Sequence, residues 1–278
     1  MPGSTTLAVD PAGIELLRSL GGVPVAPVVV IGPYRSGKSF LLNQLLGVGC
    51  ASGFGVGHTR ATQTKGVWVW GDPRPMAGEG GGFQLHIDTE GFESTGQSDA
   101  YDDRIFALAS VVASVLVYNL PEAVRESDIE KLGFATQIAD ALFSSAKGGD
   151  ASASASASPP PRPPPPIRPG AMLWLIQRDF LGGDSPQQAL DAALAAVPNP
   201  GGDAAIDRLN RVRDALKTVA SSSTAAGLPQ PHLDRTALCE LGDDALAPAY
   251  LRARADVAVR EREREGKGWW WQSFFFFF

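Results

Sequence analysis

Residues 27–47 read PVVVIGPYRSGKSFLLNQLLG, and that stretch decides the fold. PVVVIG (27–32) is a short β-branched run ending at a glycine, the pattern of a strand buried on both faces. SFLLNQLLG (39–47) carries apolar residues at helical spacing and closes on Gly47. Between them lies G-x-x-x-x-G-K-S, a phosphate loop in the strand–loop–helix context its chemistry requires. Gly32 and Gly37 let the backbone curl so that its N–H groups point inward at phosphate oxygens. The helix N-terminus adds its positive end. Lys38 is expected to reach the β- and γ-phosphates and the Ser39 hydroxyl to ligate Mg²⁺. The loop residues expected against the nucleotide are Gly32, Tyr34, Arg35, Ser36, Gly37, Lys38, Ser39 and Phe40. Arg35 alone has two readings from chemistry: a surface arginine paired with a carboxylate, or a charge supplied to the phosphates.

The segments that follow name more of the site. FQLHIDTEGF (83–92) reads as a strand ending in D-x-x-G, with Asp88 where the Mg²⁺ shell needs a carboxylate and Gly91 where an amide can sense the γ-phosphate. GVGHTRATQTKGVWVW (55–70) is a polar, threonine-rich loop feeding an alternating strand, suited to offering a second hydroxyl to the metal. SVLVYNL (114–120) and AMLWLIQRDF (171–180) read as two further buried strands. The second ends in Arg178-Asp179, and an aspartate there can accept both N1–H and N2–H of guanine, a donor pair adenine lacks.

Composition bounds the rest. A chain of 278 residues with 44% hydrophobic content can bury a proper core, and a formal net charge of −6 argues against a general nucleic-acid-binding surface. The two cysteines, Cys50 and Cys239, fit a reduced compartment and offer no metal-ligand spacing. The N-terminus lacks signal-peptide character and no apolar run is long enough to span a bilayer, so the expected location is cytoplasmic. Residues 144–170 alternate Ala and Ser and then run into proline, which reads as a disordered surface insertion. The tail WWWQSFFFFF (269–278) follows an Arg/Glu run and carries no functional reading.

The order GPYRSGKSFLLNQLLG, HTRATQTKGVWVW, HIDTEGF, DDRIFALASVVASVLVYNL and LWLIQRDF resembles the GTPase domain of the guanylate-binding proteins, and more distantly the atlastins among the dynamin-like large GTPases. The likeness is dense over residues 24–143, returns at 171–182 and thins from 183 to 247. It implies that Arg178-Asp179 replaces the usual guanine motif and that Arg35 is an arginine finger supplied in cis. It also implies that Thr64 ligates Mg²⁺ with Ser39 and Asp88, that Thr62 helps position the attacking water, and that Glu90 joins the water network. Where the family carries a histidine before the switch threonine, this chain has Gln63, and the second Arg-Pro pair of the base-capping region is missing.

The expectation is therefore an α/β P-loop NTPase G domain, a mostly parallel central sheet flanked by helices, with nucleotide at the C-terminal strand ends. Its expected limits are residues 24–247, with 1–23 as an N-terminal extension and 248–278 as an Arg/Glu-rich helix and aromatic tail. The expected chemistry is hydrolysis of GTP to GDP and phosphate with Mg²⁺, with the resemblance implying nucleotide-dependent homodimerisation. Neither nucleic acid nor membrane is an expected partner. A nucleotide-binding module with little turnover, or an ATP-using relative, are the competing readings.

Overall fold

The computed structural model describes residues 8–57, 64–76, 81–92, 99–133, 170–180, 182–219 and 222–265. Thr62 and the Ala/Ser/Pro segment 144–169 lie outside the described residues. Among those described, seven strands form one sheet: β1 (Val25–Ile31), β2 (Val67–Val69), β3 (Arg74–Pro75), β4 (Phe83–Thr89), β5 (Val115–Pro121), β6 (Ala171–Gln177) and β7 (Ser223–Leu228). The order is β2-β4-β1-β5-β6-β7, with β3 also on β4. The β4, β1, β5, β6 and β7 neighbours pair in parallel, while β2 and β3 run antiparallel to β4. The fold is thus the mostly parallel α/β sheet expected from the sequence.

The apolar run of β1 is explained by two cores, one on each face of the sheet. Val29 and Ile31 face one side, with Leu85, Ile87, Phe106, Tyr118 and Trp174. Val28 and Val30 face the other, against Leu41, Leu42 and Leu45 of helix α2 (Lys38–Leu46). A strand covered on both faces needs no polar alternation, so it reads as a continuous β-branched block. On the first face lie α3 (Asp99–Val112), α4 (Pro186–Ala193) and α5 (Ala204–Val219). On the second, α6 (Pro248–Glu265) packs beside α2 and buries Tyr250 and Val257. The N-terminal α1 (Pro11–Ser19), capped by Asp10, sends Leu16 and Leu20 against the first core. The residues read as an N-terminal extension and as a C-terminal helix therefore both pack on the sheet.

Two sequence expectations change. The alternating strand within 55–70 contracts to Val67–Val69, although the Trp70 amide still donates to the His86 carbonyl (2.9 Å) and extends the contact with β4. The cysteine reading is corrected outright: Cys50, just past α2, and Cys239 are bonded, with their Cα atoms 5.4 Å apart. They are separated by 189 residues, and near Cys239 the returning chain packs Leu238 and Leu241 against the second core. No helix among the described residues is long and apolar enough to cross a membrane.

His86, buried in β4, supplies a test of this core. Burial, reinforced by the charge of Arg74, pushes its pKa down from 6.5 to about 4. Between those values the unfolded chain takes up a proton that the folded chain refuses, so acid favours unfolding. Stability contributed by neutral His86 is full above pH 6.5 and is expected to fall by roughly 3 kcal/mol by pH 4. Urea midpoints of wild type and His86→Asn, compared at pH 7 and pH 5, isolate this component from the carboxylates, and the variant should show the shallower acid slope.

Candidate nucleotide-binding site

The phosphate loop is built where β1 runs out. Gly32 adopts φ 148°, and a Cβ there would fall 2.1 Å from the Asn119 carbonyl oxygen, so no other residue fits. The loop is clamped from two sides. On one, the Tyr34 amide donates to the Phe92 carbonyl (2.8 Å) and the Phe92 amide to the Gly32 carbonyl (3.2 Å). On the other, Asn119 Nδ2 donates to the Ser36 carbonyl (2.8 Å) and Oγ (3.0 Å), while Gln177 Nε2 donates to Asn119 Oδ1 (2.8 Å). Gly37, at φ 88°, then turns the chain into α2. Asn119 and Gln177 escaped the sequence reading; their signal was a single polar side chain near the C-terminal end of each of two otherwise apolar strands.

Lys38 is buried, and its Nζ donates to the carbonyls of Gly32 (3.2 Å) and Pro33 (3.0 Å). Burial lowers its pKa to about 8, against the opposing pull of Asp88, Glu90 and Asp102. Beside it, Ser39 Oγ donates to Asp88 Oδ2 (2.6 Å), Thr64 Oγ1 donates to the same oxygen (3.1 Å), and the two hydroxyls are 3.3 Å apart. Burial raises the Asp88 pKa, while Lys38 and the two hydroxyls work the other way. Both bonds land on Oδ2, leaving the buried Oδ1 without a hydrogen-bond partner. One carboxylate and two hydroxyls next to a phosphate loop suit Mg²⁺, which takes few protein ligands and completes its shell with phosphate and water. No cluster of three His, Cys, Asp or Glu side chains able to hold a metal occurs among the described residues. The three residues expected at the metal, Ser39, Thr64 and Asp88, are thus brought together.

Glu90 and Gly91 serve different ends. Glu90 Oε2 accepts from the Gly66 amide (3.0 Å) and the Tyr101 hydroxyl (3.0 Å), and the Glu90 amide donates to the Gly66 carbonyl (2.8 Å). It therefore braces the segment carrying Thr64 against α3, and Tyr101 is a third residue the sequence reading missed. Gly91 lies against the phosphate loop, where a Cβ would stand 2.5 Å from Tyr34 Cα.

From the loop, a cleft of about 470 Å³ extends past Phe40 to Gln177 and Arg178, and on to Gln230, Pro231, Arg235 and Thr236. Arg178, at φ 54°, pairs with Glu122 (3.1 Å). The Asp179 carboxylate lies against Gly227 of β7, where a Cβ would be only 1.9 Å from Oδ2. Asp179 is not among the residues lining the cleft. Arg35 is exposed at the rim, its guanidinium carbon 5.3 Å from the centre of the Tyr34 ring.

The family described as "Guanylate-binding protein, N-terminal domain" matches residues 4–245. Guanylate-binding protein 2 of Rattus norvegicus is 36% identical over 135 residues, which is 48% of this chain and 22% of that protein. Guanylate-binding protein 2 of Homo sapiens is 34% identical over 147 residues, 52% of this chain and 24% of that protein. The matches thus span about a quarter of the length of these relatives. Among solved structures, that of Methanosarcina barkeri Roco2 RocCORdC bound to GDP aligns with a TM-score of 0.36 and 13% identity, covering 90% of this chain and 53% of that one.

Proposed function

We propose that this chain, which belongs to the guanylate-binding protein family, binds GTP with Mg²⁺ and hydrolyses it to GDP and phosphate. The observation that carries the proposal is the meeting of Ser39 Oγ and Thr64 Oγ1 on one oxygen of Asp88, with the other oxygen buried and unpartnered beside Lys38. A phosphate loop with only a structural task has no need of a buried, half-satisfied carboxylate, since such a group is costly unless something arrives to bind it. Ser39, Thr64 and Asp88 would hold Mg²⁺, which would supply positive charge against the phosphate oxygens. The chain's own residues do the rest. Lys38 exchanges the Gly32 and Pro33 carbonyls for phosphate oxygens, and the amides of the clamped loop hold the β-phosphate. Water attacks the γ-phosphorus in line and the bond to the β–γ bridging oxygen breaks. Arg35 swings inward to meet the charge that develops, and Thr62 with Glu90 orders the water. Asp179 reads guanine N1–H and N2–H, with Gly227 leaving its carboxylate room to turn.

Pairing of two such domains in the triphosphate state belongs to the same proposal, as does a cytoplasmic location. A monomer on gel filtration with GDP·AlFₓ counts against the pairing. Base reading is tested by displacing fluorescent GDP with GTP, ATP and XTP. Asp179→Asn replaces one acceptor by a donor. It is expected to weaken GTP binding about 10- to 100-fold and to turn the preference to XTP. If ATP competes as well as GTP in wild type, the guanine reading fails.

Two observations favour a second reading, a nucleotide binder with little turnover: Glu90 is already engaged by Gly66 and Tyr101, and Arg35 rests on Tyr34. Single-turnover hydrolysis separates the two, because binding without product needs only Lys38, Ser39 and Asp88.

A further inference from the structure

The far wall of the cleft, residues 230–238, is held differently from the phosphate side. It has no helix or strand, and the hydrogen bonds of its side chains are local. Gln230 Nε2 donates to the His232 carbonyl (2.9 Å), the Asp234 amide to His232 Nδ1 (3.0 Å), and the Thr236 amide and hydroxyl to Asp234 Oδ1 (2.9 and 2.7 Å). Leu233 is 91% exposed. Three features tie this wall to the body: the Ala247 amide on the Pro231 carbonyl (2.8 Å), the packing of Leu238 and Leu241, and the Cys50–Cys239 bond.

Cys50 stands on the opposite kind of support. It sits in a turn closed by the Ser52 and Gly53 amides on the Gly49 carbonyl (3.1 and 2.9 Å). The next residue, Phe54, is fixed to α2 by Asn43, whose Nδ2 donates to its carbonyl (2.8 Å) and whose Oδ1 accepts from its amide (2.7 Å). Gly55, Val56 and Gly57 then line the cleft directly. The disulfide thus joins a segment with few anchors to the helix that begins at the phosphate loop.

We propose that Cys50 and Cys239 are positioning residues for the base side of the cleft, so that the nucleoside part of the ligand is held firmly only when they are bonded. This rests on the reading of the cleft as a nucleotide site. Both cysteines are half-buried, so a dissolved thiol can reach the bond. A dithiol supplies two electrons and two protons, the S–S bond breaks to two thiols, and the dithiol closes to its own disulfide. A disulfide in a thiol-rich compartment is usually transient and redox-sensing, which makes the wall a point of control if the chain resides there. The phosphate side does not depend on the bond, because its clamps come from Phe92, Asn119 and Gln177.

The test uses the full chain, oxidised and then treated with dithiothreitol, with fluorescent GDP and inorganic tripolyphosphate as separate probes. Reduction is expected to weaken GDP binding about tenfold, the scale of having to order a few loop side chains on binding. Tripolyphosphate affinity should stay within about twofold of its oxidised value. Hydrogen exchange should accelerate in 229–241 and not in 38–46, and re-oxidation should restore both readings. Cys50→Ser with Cys239→Ser should behave as the reduced chain and ignore dithiothreitol. Equal GDP affinity in both redox states overturns the inference, as does parallel loss of both probes with loss of circular dichroism, which would make the bond a support of the whole fold. Failure of the oxidised chain to bind either probe instead overturns the nucleotide reading beneath it.

Discussion

Replacing Arg35 by alanine is expected to leave GDP affinity within about threefold while slowing GTP hydrolysis about 10³-fold. Both halves follow from where the side chain sits. Arg35 is exposed, makes no ion pair among the described residues, and rests over the Tyr34 ring. A cation–π contact at an exposed site is worth only about 0.5–1 kcal/mol, so the guanidinium leaves it cheaply. The backbone beneath it, at φ 60°, is strained for arginine and alanine alike, so the substitution does not alter the loop's own geometry. Binding therefore changes little. Turnover is another matter, because phosphoryl transfer is catalysed by charge placed on oxygens that become more negative in the transition state. Arg35→Lys keeps the charge but loses the fork of donors, so it should recover only a small part of the rate. The measurement is single-turnover hydrolysis at saturating enzyme, with GDP affinity taken separately. Unchanged turnover in Arg35→Ala would return this residue to the role of a surface cation.

How much of this was legible depended on how local each feature is. The phosphate loop could be read because strand, glycines, lysine and helix are contiguous and Lys38 answers to the nearby Gly32 and Pro33 carbonyls, although the contact that makes Gly32 obligatory comes from distant Asn119. Asp88 and Thr64 were placed at the metal by the family resemblance and by the logic of a Mg²⁺ shell, and the fold brings them to Ser39. Features that depend on distant chain were less visible. β7 is STAAGL, small residues without a β-branched run, and it becomes a strand because β6 offers it a parallel edge. Its Gly227 matters only once Asp179 lies against it. Asn119 and Gln177 form a relay to Ser36 that no spacing rule announces, since their partners are 83 and 58 residues away. Glu90 was read through the attacking water, yet its present partners are the Gly66 amide and the Tyr101 hydroxyl. The disulfide was misread because pairing across 189 residues is a property of the tertiary path and composition carries no trace of it.

Gly91→Ala tests the contact between the D-x-x-G turn and the phosphate loop. A Cβ at this position would lie 2.5 Å from Tyr34 Cα, 2.7 Å from Tyr34 N and 2.9 Å from Lys38 Nζ. The lysine tip can move aside, but the Tyr34 backbone cannot, because its amide is bonded to the Phe92 carbonyl and Ser36 is held by Asn119. One of the two loops must retreat. Retreat of the turn pulls Phe92 away from Gly32 and Tyr34; retreat of the phosphate loop misaims its amides and Lys38. Either way, charge-assisted bonds to phosphate are lost, and GTP affinity is expected to fall about 100-fold. Overpacking of this kind should also lower stability by about 1–3 kcal/mol. Gly71→Ala is the matched control, since a Cβ there meets nothing within 4 Å and the backbone is not in the left-handed region. Titration of GTP and GDP by fluorescence, with urea midpoints alongside, distinguishes the two effects. If affinity falls with stability kept, the turn acts on the ligand through the phosphate loop. If Gly91→Ala binds GTP as wild type does, the close approach is not needed for binding, and the link from D-x-x-G to the γ-phosphate loses its structural basis.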